Sequence, residues 1–160
     1  MFGEPQKQHA WLHKLVGEWT FEGNCVMGPD QPPMKNTGSE SVRSLGGLWT
    51  VGEGSGDMPD GKPMKSIMTL GYDPQKERFV GTFVASMMTH LWLYDGELDA
   101  AGRVLTLNAE GPGMSGDGKM AKYQDVITMQ SNDHRILTAR VQGDDGKWTE
   151  FMTAHYRRMG

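Results

Sequence analysis

The sequence predicts an all-β fold, an antiparallel up-and-down β-barrel of about ten strands with a short N-terminal helix, in one domain over residues 1–160. Three observations lead there. Turn-forming clusters recur at intervals of roughly 12 to 16 residues, and the runs between them alternate apolar and polar side chains with a period of two. After the first fifteen residues no segment has helical periodicity long enough to cross between parallel strands.

The first element is a helix over about 5–15, with Trp11, Leu12, Leu15 and Val16 on one apolar side, placed to plug or cover one end of the sheet. The barrel follows over about 17–158. In the first strand Trp19, Phe21 and Cys25 share a face with Gly17 and Gly23, while Glu18, Thr20, Glu22 and Asn24 take the other. Turns then fall at 28–33 (GPDQPP), Leu45-Gly46-Gly47, Pro59-Asp60-Gly61, Asp73-Pro74-Gln75, Asp99-Ala100-Ala101-Gly102, Gly116-Asp117-Gly118, Asn132-Asp133 and Asp144-Asp145-Gly146. Glycine supplies positive φ there, Asp and Asn bond their own backbone, and proline presets φ. One further break belongs at Met87-Met88, where the turn chemistry is weak. Late in the chain Tyr123, Asp125, Ile127 and Met129 oppose Lys122, Gln124, Thr128 and Gln130. Ten long strands in meander order either close or leave edges open to aggregation, so closure is favoured over a two-sheet sandwich.

Composition narrows the function. Sixteen basic against twenty acidic residues give a net charge of −4, with no basic stripe to track a phosphate backbone, so nucleic acid is not an expected partner. A single cysteine, Cys25, excludes an intramolecular disulfide and a Cys/His zinc set. The N-terminal segment lacks a signal-peptide core, and no run of about 18 apolar residues offers a membrane span. A soluble, cytoplasmic protein without metal or organic cofactor is the expectation.

Several segments carry a family likeness: HAWLHKLVGEW at 9–19, SLGGLW at 44–49, GYDPQKERFVGTF at 71–83, MTHLWLYDGELD at 88–99 and AHYRR at 154–158. Gly17-Glu18-Trp19 after a short helix resembles the Gly-x-Trp opening of lipocalins and their calycin relatives. The succession of motifs resembles, over nearly the full length, the bacterial family called domain of unknown function 1579. The resemblance implies a lipocalin-like barrel and no assigned activity. It also implies that Arg157 or Arg158, from the last strand, packs over Trp19 by cation–π contact, a structural role. The chain departs from secreted lipocalins in lacking paired cysteines. It departs from the fatty-acid-binding proteins in lacking an Arg-x-Tyr clamp, since Tyr156-Arg157-Arg158 runs in another order.

Candidate chemistry is sparse. His9 and His13 stand four apart without the Glu of a zincin motif, and read as polar residues on an exposed helix face. His90, Trp92 and Tyr94 alternate on one strand face, whose orientation Leu91 and Leu93 leave open. If internal, that face is a wall for a ligand. Glu53, beside Trp49 and Val51, and Asp125 are the carboxylates expected to point inward, where each needs a partner such as Arg43. Thirteen methionines suit an adaptable pocket and ordinary core filling equally. The glycine-rich tract 111–116 lacks the Lys-Ser/Thr of a phosphate loop and reads as a loop at a barrel mouth.

The leading expectation is therefore a barrel holding a small apolar or amphipathic molecule. Its cavity is bounded by Trp49, Glu53, Met68, Phe83, His90, Trp92, Tyr94, Tyr123, Asp125 and Met152, with no catalytic residue assigned. The alternatives are a cofactor-free acid–base enzyme using His90 with Glu53 or Asp125, a haem-binding barrel with His90 or His155 as axial ligand, and an interaction module that dimerises through an exposed strand face.

Overall fold

The structure is a computed structural model that describes residues 2–26, 31–58 and 60–159. A one-and-a-half-turn helix, α1 (Lys7–Leu12), tightens into a 3₁₀ turn (His13–Leu15) and leads into ten strands. They are β1 (Gly17–Cys25), β2 (Met34–Leu45), β3 (Trp49–Asp57), β4 (Pro63–Asp73), β5 (Arg78–Ala85), β6 (Trp92–Leu98), β7 (Val104–Pro112), β8 (Met120–Ser131), β9 (His134–Gln142) and β10 (Trp148–Arg158). Every strand pairs antiparallel with its sequence neighbours, and β1 pairs with β10 to close the ring. The up-and-down barrel replaces the sandwich alternative, because the pairing of β1 with β10 closes the ring and gives every strand two neighbours.

The turns form where the local chemistry demanded. Asp99 Oδ1 accepts the backbone N–H groups of Arg103 and Val104 at 2.8 and 3.1 Å, and Asp73 Oδ1 accepts that of Gln75 at 3.0 Å. The weakly signalled break also exists, as a turn in which the Met88 N–H reaches the Ala85 carbonyl at 3.1 Å. Residues 28–30 of the turn expected at 28–33, and Pro59 of the next, lie outside the described residues.

Alternation sorts the side chains. Trp19, Phe21 and Gly23 of β1 are buried between exposed Glu18, Thr20, Glu22 and Asn24. One end of the barrel, bounded by the turns after β2, β4, β6 and β8, is plugged by the N-terminal segment. Six residues are too few to hold a helix in water, so tertiary contacts hold this one. Trp11, Leu12 and Leu15 join a buried cluster with Trp19, Leu70, Phe79, Leu105, Leu107 and Ile127. The Trp11 indole donates to the Gly102 carbonyl at 2.7 Å.

His9 departs from the expectation of an exposed polar position. It is buried, accepting the Gln6 N–H at Nδ1 (2.9 Å) while Nε2 meets the Tyr72 carbonyl at 3.1 Å. A carbonyl only accepts, so the proton sits on Nε2 and the imidazole stitches the plug to β4. His13 is exposed.

Arg158 locks the same end. Its guanidinium lies 4.2 Å from the Trp19 ring centroid and donates to the carbonyls of Val16 (2.7 Å), Lys14 (2.9 Å) and Asn132 (3.1 Å). Of the two arginines expected over Trp19, it is Arg158 that stacks there. Gly17 sits beneath it at φ 138°, where a Cβ would come within 2.2 Å of the Arg158 Nη1. Only glycine combines that backbone with that clearance.

Candidate functional site

The inward faces change character from one end of the barrel to the other. Toward the plug they are closed: Trp19, Leu105 and Leu107 have no accessible surface, and a cavity of about 20 Å³ between Leu15, Val42, Met68 and Ile127 has room for about one water. Toward the mouth, inward-facing Met34, Met64, Met68, Phe83, Trp92 and Met152 keep partial accessibility. These inward side chains are the ones that solvent reaches from the open end of the barrel.

At the floor of that half lies a polar pair. Tyr94 of β6 and Asp125 of β8 face inward on either side of β7, and the phenol donates a short hydrogen bond to Asp125 Oδ2. Burial pushes the Asp125 carboxyl up to about 6 against the pull of the Tyr94 bond, and burial beside that carboxylate pushes the Tyr94 phenol well above its ordinary value. Leu107 and Ala139 flank Asp125 in register and supply no charge.

A second polar cluster lies nearer the plug and was not singled out from the sequence. Arg135 of β9 is buried, ion-paired with Glu40 of β2, and stacked between Trp19 and Tyr156 at 4.6 and 4.1 Å from their ring centroids. Its signal was periodicity: Arg135 shares a face with Leu137, Ala139 and Val141. Tyr156 pairs with Arg135 in register, so an arginine and a tyrosine meet across neighbouring strands although no Arg-x-Tyr sequence exists. Burial, with Glu40 and Asp125 nearby, raises the Tyr156 phenol.

The β6–β7 seam parts toward the mouth. This ladder runs only from Leu98↔Leu105 to Asp95↔Asn108, whereas β7 stays with β8 as far as Pro112↔Met120 and β6 with β5 as far as Trp92↔Phe83. Side chains fill the gap. His90 Nε2 meets the Glu110 carbonyl at 2.9 Å, and the Trp92 ring stands edge-to-face with His90 (4.8 Å) and Tyr123 (5.0 Å). A cleft of about 690 Å³ opens outside this seam, with Leu93, Glu110, Lys122 and Trp148 around it and Ala109 and Tyr123 at its floor.

The expected site residues thus divide. Met68, Phe83, Trp92, Tyr94, Tyr123, Asp125 and Met152 face inward, and His90 stands at the rim, outside β6. The orientation left open by Leu91 and Leu93 is resolved, because Trp92 and Tyr94 point in while Leu93 points out. Trp49 and Glu53 are corrections. Both lie on the outer face of β3, and Glu53 pairs with Arg43 at 2.9 Å in solvent. The inward positions of β3 are Thr50, Gly52, Gly54 and Gly56, which leave room for neighbours: a Cβ at Gly52 would come within 2.7 Å of the Glu40 carboxylate. A strand whose inner face is glycine lets its apolar residues sit outside.

His90 reaches neither carboxylate, since its Nε2 serves Glu110 while Asp125 is bound by Tyr94. The acid–base set therefore does not assemble. His155 lies on the outer face, its Nδ1 2.9 Å from His134 Nε2. It is not aimed into the barrel as an axial ligand would be.

Comparisons with known proteins agree on fold. A family model described as "Protein of unknown function (DUF1579)" matches residues 4–158. Comparison with curated proteins finds no match. Among solved structures, the chain is similar to Rv2717c from M. tuberculosis at 12% identity and a TM-score of 0.65, over 98% of this chain and 100% of that one. It is also similar to EF1p2_mFAP2b bound to DFHBI, at 16% identity and a TM-score of 0.51, over 94% of this chain and 98% of that one. A redesigned barrel, mFAP0, bound to DFHBI, matches at 14% identity and a TM-score of 0.50, over 91% of this chain and 99% of that one. At these identities the likeness is one of fold.

Proposed function

This chain belongs to the family DUF1579, proteins of unknown function, and from that premise we propose that it binds a small apolar or amphipathic molecule in the mouth half of its barrel. The observation that carries the reading is the partial accessibility of inward-facing Met64, Met68, Phe83 and Trp92 above a hydrogen-bonded Tyr94–Asp125 pair. Apolar walls with a few polar groups at depth are what a small-molecule pocket needs. Methionine and aromatic rings line it with surface that adapts to shape. Two solved barrels of similar fold hold DFHBI, which supports the architecture's capacity for a ligand. The cytosol is the compartment a lone cysteine favours.

The test is titration of the whole protein with neutral lipophilic fluorophores such as Nile red, together with native mass spectrometry of freshly purified material. Saturable fluorescence enhancement is expected, lost when Met68→Trp and Phe83→Trp fill the void. A crystal structure with a solid interior, and no probe response, would overturn the reading.

A further inference from the structure

We propose that the interior selects a ligand whose apolar body carries one protonated nitrogen, held by the Asp125 carboxylate. This rests on the binding reading above and names the chemistry of the ligand. The inward positions of the ten strands hold four charged side chains: Glu40, Asp125, Arg135 and, at the plugged end, Arg158. Three of them are already committed. Glu40 and Arg135 neutralise each other, and Arg158 is spent on three carbonyls, the Trp19 ring and Asp133 at 3.4 Å. Among the described residues no cation pairs with Asp125. Its neighbours are the Tyr94 phenol from β6, Tyr156 from β10, apolar Leu107 and Ala139 in register on β7 and β9, and Tyr123 and Ile127 on its own strand.

An anionic head entering the mouth meets this uncompensated carboxylate and finds both arginines occupied, which disfavours a fatty acid. A neutral head gains at most a hydrogen bond. A cationic head supplies the missing charge where the dielectric is low and a close pair is worth far more than in water. It also meets the rings of Trp92, Tyr94 and Phe83, whose faces attract cations. The Tyr94 phenol bonds the carboxylate at Oδ2, and the ligand's ammonium would take Oδ1.

The proposal is tested by calorimetric titration of the whole protein with decylamine, decanol and decanoate, at about pH 7.5. Decylamine is expected to bind about tenfold more tightly than decanol, with decanoate weakest. In Asp125→Asn the amine should fall to the level of the alcohol. In the wild-type chain the amine's advantage should shrink as the pH is lowered to about 5, because a protonated Asp125 offers no charge; this arm does not depend on the variant folding. Decanol or decanoate binding as tightly as the amine overturns the selection and leaves the pocket standing. An amine preference that survives in Asp125→Asn assigns it to the acidic surface and also overturns the proposal. Failure of all three ligands, with Nile red silent, overturns pocket and selection together.

Discussion

Arg135 is a single side chain on which several others depend. Its removal leaves Glu40 buried without a counter-charge and opens space between Trp19 and Tyr156. Arg135→Ala should lower the unfolding free energy by roughly 3–5 kcal/mol in urea titrations, and the apolar pair Glu40→Leu with Arg135→Met should recover most of it. Asp125 acts in the opposite sense. Its carboxyl is raised from 3.8 to about 6 in the fold, so between those values the folded state holds the extra proton and stability declines as pH rises. The cost is absent below about pH 4 and complete above about 6. Asp125→Asn should therefore melt a few degrees above wild type at neutral pH and level with it near pH 4, read by thermal denaturation at both. Asp125 was legible because it alternates with Tyr123 and Ile127. Arg135 is not legible in the same way, because an arginine inside a barrel needs a carboxylate partner and Glu40 lies 95 residues away.

Among the elements, β3 was the one read inside out. An apolar-in rule puts Trp49, Val51 and Glu53 on one buried face, yet glycines hold that side so that the Phe21 ring and the Glu40 carboxylate can cross it. Trp49 instead covers the backbone of Gly71 on the outer surface. Pattern alone does not see space lent to a neighbouring strand, which is why the inner wall of β8 was readable and that of β3 was not. Gly52→Val drives a branched side chain into Glu40 and should cost roughly 1–3 kcal/mol in chemical denaturation, whereas Glu53→Gln, which loosens only a solvated pair, should cost less than about 1 kcal/mol. The plug was predicted in position and apolar face. His9 was not, because its partner is a carbonyl of β4, and backbone acceptors leave no mark in a sequence.

At the scale of the whole molecule the two ends differ in how firmly they are held. The plugged end has a packed core, cation–π stacks and buried hydrogen bonds, while the mouth has a parted β6–β7 seam filled by His90 and Trp92. Local opening should follow that division. Hydrogen exchange is expected to be faster at residues 92–94 and 109–111 than around Trp19, Leu105 and Ile127; His90→Ala should raise the former rates severalfold and leave the latter unchanged. Equal protection at both ends would contradict this. Meander order is legible in the spacing of turns, because each hairpin connection is local, and the plug in the apolar side of residues 11–16.

Among the strand pairings the one exception to that locality is β1 with β10. Nine hairpins can zip independently and fast, but the ring shuts only when Trp19 finds Arg158 across almost the entire length of the chain. The entropy of drawing those remote ends together is paid in one late step. Refolding speed should accordingly be governed by this last docking event, with a curled, unsealed ribbon as the species that precedes it.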